Sequence, residues 1–171
     1  MTADSPSVRI TALTAGDIDA LSALAAEIWR AHYPAIISSA QIEYMLAQRY
    51  NAAVVRDELA RGDVWWDKLL VDESMVGFAS YCLLHSARAM KLDKLYVHPA
   101  HQRRGYGRML VDRAVTMTRA YGCDALVLAV NKRNEDALAA YAKHGFAIVE
   151  SVVKDIGGGF VMDDYVMRLN V

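Results

Sequence analysis

Cysteine, proline and an excess of charge of either sign are what this sequence has little of. Its two cysteines, Cys82 and Cys123, form no CxxC and no Cys/His cluster, which excludes a disulfide framework and a structural zinc site. A reducing, cytoplasmic setting is the expectation, and no metal is called for. Nineteen Lys+Arg stand against twenty Asp+Glu, a formal charge of −1, so no overall positive field draws in nucleic acid or an anionic membrane. No stretch approaches the roughly 18 apolar residues that span a bilayer. The opening MTADSPSVRITALTAGD lacks the basic patch and apolar segment of a secretory signal. With three prolines and no repeat, linker or low-complexity segment, nothing divides the chain.

What is there is an apolar majority. Of 171 residues 54% are apolar and 23% charged, a composition that folds unaided and fills one domain over residues 1–171. Val8, Ile10 and Ala12 alternate with Arg9 and Thr11, a strand by its period of two. From Ala15 to Ala31 the apolar Ile18, Leu21, Leu24, Ala25 and Ile28 recur at three and four, an amphipathic helix. Ser38 with Gln41 has capping-box spacing before Ile42, Met45 and Leu46, and Asn51 opens a further helix that closes at Gly62. Val64 to Leu84, rich in Val, Trp, Phe and Tyr and broken by Asp72-Glu73-Ser74, predicts a hairpin. Met90 to Val97 predicts a fourth strand that stops at His98-Pro99. Leu110, Ala114, Met117 and Tyr121 share one helical face up to Gly122, and Ala125 to Val130 is a continuous apolar strand. Asn134 to His144 predicts a helix, and Phe146–Lys154 and Phe160–Leu169 two last strands around Gly157-Gly158-Gly159. Six of the eight methionines, 75, 90, 109, 117, 162 and 167, are expected to fill the core. The order is that of an α/β (α+β) layer structure on a mixed sheet.

The most informative stretch is Gln102-Arg103-Arg104-Gly105-Tyr106-Gly107, set between the fourth strand and an amphipathic helix. Glycines there permit a tight turn, and the unpaired N–H groups and dipole of the following helix face whatever occupies it. Arg103, Arg104 and Arg108 add positive charge. A diphosphate satisfies both features. The string is neither a Walker A loop nor a GxGxxG fingerprint, because Gly107 is followed by Arg108-Met109-Leu110 with no third glycine.

Leu95-Tyr96-Val97-His98-Pro99 followed by Gln102-x-x-Gly105-x-Gly107 resembles the acetyl-CoA signature of the GCN5-related N-acetyltransferase (GNAT) family. Asn134-Glu135-Asp136-Ala137, Tyr141 and Gly145-Phe146 are similar to a second segment of that family. The resemblance implies a central, mostly antiparallel mixed sheet of about seven strands flanked by helices, the fourth and fifth splayed to admit the pantetheine arm. It implies acetyl-CoA as cosubstrate, backbone contacts along Leu95, Tyr96 and Val97, and a pyrophosphate held by the amides of Arg103, Arg104, Gly105, Tyr106, Gly107 and Arg108. Asn134 would hydrogen-bond pantetheine and Tyr141 protonate the departing thiolate. Proteins of this type are commonly dimeric, so a homodimer is admitted.

Acetyl transfer to nitrogen requires a lone pair, and an alkylammonium of pKa about 10.4 is neutral in about one molecule in 2,500 at pH 7, a deficit of about 4.6 kcal/mol. Family members that carry a glutamate on the fifth strand or early in the fourth correspond here to Ala129 and Lys91, so the usual base is absent or displaced. Glu27 and Asp93 are the first replacements, followed by His32, Asp163 and Asp164; His98 reads as a turn residue. The resemblance places the acceptor groove between the first helical segment and the final hairpin, where Trp29, Tyr33, Tyr44 and Asp164 shape it. The function expected is acetylation of a small-molecule primary amine by direct attack. Amino-terminal peptide acetylation and a non-catalytic acyl-CoA-binding module stand as alternatives.

Overall fold

The computed structural model describes residues 4–171; the first three residues lie outside the described residues. One seven-stranded sheet runs in the order β1-β2-β3-β4-β5-β7-β6. Its strands are β1 (Val8–Ala12), β2 (Val64–Val71), β3 (Ser74–Leu84), β4 (Ala89–Val97), β5 (Ala125–Asn131), β6 (Ala147–Gly157) and β7 (Phe160–Asn170). All neighbours are antiparallel except β4 and β5. One layer holds α1 (Ile18–His32), α2 (Ser39–Arg49) and α3 (Ala52–Ala60); α4 (Tyr106–Ala120) and α5 (Glu135–Lys143) complete the set. This is the mixed, mostly antiparallel sheet expected.

Two cores result. Leu21, Ile28, Trp29 and Val55 pack with Trp66 and Phe78 beneath α1 to α3. Met90, Leu110, Val111, Ala114 and Leu126 pack between α4 and the other face. Each fully buried side chain of this size contributes about 1.5–3 kcal/mol. Edge strand β6 is exposed over most of its length.

Local deviations from the predicted elements have identifiable causes. Residues Ala15–Asp17 form a single 3-10 turn before α1, closed by reciprocal bonds between Thr14 and Asp17. Ser38 caps α2 by accepting from the Gln41 N–H at 3.1 Å, but the Gln41 side chain does not complete a box. It donates instead to Val161 O at 2.9 Å, tying α2 to β7. Helix α3 ends at Ala60 with Arg61 already extended, so Gly62 supplies no left-handed cap. Tyr121 leaves the core face and packs on Trp65 at a centroid distance of 4.4 Å. Met109 is likewise exposed. β6 runs three residues past Lys154, and Gly158 has positive φ with no room for a Cβ, which would sit 2.8 Å from the Tyr44 ring.

Two irregularities prepare the site. Parallel pairing of β4 with β5 covers only Ala89–Ala125, Met90–Leu126 and Lys91–Val127; beyond these the strands diverge. On its other side β4 pairs Tyr81 with Leu92 and Ser80 with Lys94, leaving Asp93 as an extra residue. Such a bulge breaks alternation, so Lys91, Asp93, Lys94 and Tyr96 share the face toward α1 and α2.

Candidate active site

The split between β4 and β5 opens into a cavity of about 600 Å³ lined by Lys91–Tyr96, Leu128–Asn131, Trp29, Tyr33, Tyr44, Arg49, Asn134, Tyr141 and Asp164, among others. The divergent edges leave backbone groups without strand partners. His98 N–H donates to Val76 O at 2.8 Å; by alternation Tyr96 faces β3, and the backbone of Leu95 and Val97 faces the split. The Val97 carbonyl is already taken, accepting from Gln102 Nε2 at 3.0 Å. Gln102, given no individual role on sequence, thereby pins the loop to β4.

Tyr96 departs from the other two. Its hydroxyl lies 2.9 Å from that of Tyr33, and its ring packs on Trp29 and Phe78. Its side chain belongs to the α1 side of the cavity, and its backbone to the pairing with β3.

Beyond β4, His98 accepts from Ala100 N–H through Nδ1 at 3.1 Å, so Nε2 carries the proton and donates to Glu27 at 2.8 Å. Pro99–His101 make one 3-10 turn. Arg103 (φ 60°) and Gly105 (φ 82°) are both left-handed before α4 begins. Left-handed residues next to a helix start make a concave nest of N–H groups. A Cβ on Gly107 would meet no protein atom within 4 Å, so its bareness keeps the space before the nest clear. Arg103, Arg104 and Arg108 are exposed around it, whereas the Tyr106 side chain is buried in the core.

On the opposite wall, Asn134 caps α5, its Oδ1 accepting from Ala137 N–H at 3.4 Å and from His32 Nε2 at 3.1 Å. Its Nδ2 has no partner among the described residues. Tyr141 is half-buried in the cavity, its hydroxyl likewise unpartnered among the described residues, and burial pushes its pKa up.

The two leading base candidates are displaced by the structure. Glu27 is exposed, faces His98 and does not line the cavity. Asp93 lines it but is enclosed by Arg49 (3.2 Å), Lys91 (3.3 Å) and Lys94. These cations hold its carboxyl well below the usual range against the opposing effect of burial, and a carboxylate stabilised in that way is a poor proton acceptor. Arg49, absent from the sequence reading, supplies one of them. His32 lines a smaller adjoining pocket, and exposed Asp163 is paired with Lys132.

Asp164 is different. It is 7% exposed, lines the cavity, and its Oδ1 is buried with no hydrogen-bond partner among the described residues. Burial first, then neighbouring Asp163, raise its pKa; Arg49, Lys91 and Lys132 act in the opposite direction. Among the described residues no helix is long and apolar enough to cross a membrane, and no His/Cys/Asp/Glu group is arranged to hold a metal.

Residues 21–146 match the model of a family described as Acetyltransferase (GNAT) family. The chain is 24% identical over 161 residues to a spermidine N(1)-acetyltransferase of Thermoplasma acidophilum, covering 92% of this chain and 96% of the relative. It is 33% identical over 121 residues to an L-methionine sulfoximine/L-methionine sulfone acetyltransferase of Salmonella typhimurium, covering 61% and 71%. The crystal structure of PaiA N-acetyltransferase from Thermoplasma acidophilum in complex with coenzyme A superimposes with a TM-score of 0.83 at 24% identity, over 96% of this chain and 99% of that one.

Proposed function

Because the chain belongs to the GNAT acetyltransferase family, we propose that it transfers the acetyl group of acetyl-CoA directly to the primary amine of a small molecule bound in the cavity. The observation that carries this reading is the divergence of β4 from β5 after Lys91, with a glycine nest at its mouth and an unpartnered Tyr141 hydroxyl on its wall. The relatives named above act on spermidine and on methionine sulfoximine or sulfone, small amines in both cases.

Acetyl-CoA supplies the activated carbonyl and the thiolate leaving group. The amides of Arg103, Arg104, Gly105, Tyr106, Gly107 and Arg108 hold its pyrophosphate, with three guanidinium groups alongside. The open N–H groups of Leu95 and Val97 receive the pantetheine arm as an added strand, and a donor on this edge faces the carbonyl oxygen, where charge develops. Asn134 Nδ2 donates to the arm. Tyr141 donates to the departing sulfur. In water, transfer from a phenol of pKa about 10 to a thiolate of pKa about 8.5 is uphill by about 2 kcal/mol; the same dry wall disfavours both anions, so the gap does not widen with burial.

Asp164 accepts the proton that frees the amine lone pair. Its raised pKa brings it closer to that of the ammonium, which makes proton transfer less uphill. Thiol release from acetyl-CoA across a panel of small amines and peptides tests the reading. Amine-dependent release above hydrolysis is the expected result; release with peptides alone, or CoA binding with no release, contradicts it.

A further inference from the structure

The charges of the cavity are unevenly engaged. Four carboxylates line it, Glu58, Asp93, Asp155 and Asp164. Glu58 accepts from Trp66 Nε1 at 2.7 Å, Asp155 from Gly157 N–H at 2.8 Å, and Asp93 is enclosed by three cations. Of these four, Asp164 has a buried oxygen without a partner among the described residues. It is therefore the enclosed place for an ammonium, whereas Glu58 and Asp155 keep their charge nearer to solvent.

The cations have the opposite imbalance. Arg49, Lys91 and Lys94 share the single carboxylate of Asp93. Lys94 is committed, 2% exposed with its Nζ over the Trp66 ring at 4.8 Å. Arg49 spends only Nη2, on Asp93 Oδ2 (3.2 Å) and Asp93 O (3.3 Å), leaving Nε and Nη1 unpartnered among the described residues. Lys91 makes one contact, at 3.3 Å, and its side chain is 37% exposed. Lys154, the remaining cation of the lining, lies on β6 beside Asp155. With Nη2 engaged, Nε and Nη1 lie on different edges of the guanidinium, and each can give one charge-assisted hydrogen bond to a ligand carboxylate that the neighbouring Lys91 also attracts.

The two poles share the cavity: Asp164 on β7 lies across the split from β4, and the charges of Arg49 and Lys91, which line the same walls, act on its carboxyl. An α-amino acid carries the two complementary charges on one carbon. Tyr44, Met45, Ile156 and Met162 give the same cavity apolar lining.

Resting on the acetyl-transfer reading of the same cavity, we infer that the acceptor is an α-amino carboxylate with an apolar side chain. Its carboxylate is held by Arg49 and Lys91, and its amine by Asp164. The transfer balances within the cavity: the ammonium gives one proton to Asp164, the freed nitrogen bonds to the acetyl carbon as the carbon–sulfur bond breaks, the sulfur takes the Tyr141 proton, and the second proton lost from nitrogen restores the Tyr141 hydroxyl.

The test compares L-leucine, its carboxylate-free counterpart isopentylamine, and spermidine in the thiol-release assay. Calorimetric titration of each into the CoA-bound protein runs in parallel. L-Leucine is expected to exceed isopentylamine and spermidine at least tenfold in kcat/KM and in affinity. Lys91→Met and Arg49→Lys are expected to shrink the leucine-to-isopentylamine ratio at least fivefold, a ratio that loss of folded protein alone leaves unmoved. Equal or better use of isopentylamine or spermidine overturns the inference, as does a ratio that survives both substitutions. Selective binding of L-leucine without acetyl transfer upholds the carboxylate site while removing the acetyltransferase reading, so the two fail separately.

Discussion

Arg49, the last residue of α2, meets Asp93, the bulged residue of β4, at 3.2 Å across 44 residues of sequence. The bulge gives the contact its form: with regular alternation Asp93 and Lys94 would point to opposite faces, whereas here both turn toward α2. A carboxylate on the wall of the cavity is thereby converted from a proton acceptor into the counter-ion of a cationic corner.

Asp93 is accordingly predicted to matter for stability and not for proton transfer. Its folded-state pKa is depressed, so the stabilisation it provides is complete above the unfolded value of about 3.9 and is lost as pH falls through the folded value. Asp93→Asn should cost roughly 3 kcal/mol at pH 7, because three cations lose their partner, and the cost should shrink in acid. Denaturant titrations at pH 7 and pH 3 measure both. The acid limb of kcat/KM should keep its wild-type position in the variant.

Asp164 is predicted to behave in the opposite sense. Its folded-state pKa is raised, so there is no penalty below about pH 3.9, and destabilisation grows as pH rises toward the folded value. Asp164→Asn should stabilise the fold at pH 7, where it removes a buried charge, and the gain should vanish toward pH 3, where folded and unfolded chains both hold the proton. The same variant should lower kcat/KM for the amine at least tenfold and abolish its acid limb.

For Tyr141→Phe, kcat is expected to fall at least tenfold while the Kd for acetyl-CoA changes less than threefold, since donation to the leaving sulfur strengthens only as the carbon–sulfur bond breaks. Steady-state kinetics paired with calorimetry separates the two. Parallel losses in both would assign Tyr141 to packing against Phe146, its neighbour at 5.6 Å.

The two glycines of the nest should separate by mechanism. Gly107→Glu meets no protein atom at its Cβ, so the melting temperature should hold while acetyl-CoA affinity falls more than tenfold through charge and bulk before the nest. Gly105→Ala is strained at φ 82° and should lose about 1 kcal/mol of stability. Thermal melts and calorimetric titrations check the pair.

The sheet order and the left-handed turn between β4 and α4 were legible because they rest on local signals: alternation, Pro99 after a strand, glycines before a helix. The cavity wall toward α1 and α2 was legible in outline only. Trp29, Tyr33, Tyr44 and Asp164 do meet on one cavity, but choosing among the acids required knowing what surrounds each. Glu27 sits on a helix face that turns away toward His98, a difference of one helical step that periodicity alone does not resolve. Arg49 gave no signal on sequence, because its partner is 44 residues distant. The one available clue was the polar doublet Asp93-Lys94 inside an otherwise alternating strand, the pattern a bulge leaves.

The most direct test of acetyl transfer in the split between β4 and β5 is a crystal structure of the protein with bound coenzyme A. The pyrophosphate is expected on the amides of residues 103–108, the pantetheine arm along Leu95 and Val97, and the thiol within reach of the Tyr141 hydroxyl. Coenzyme A seated anywhere outside that split, or a thiol remote from Tyr141, would contradict it.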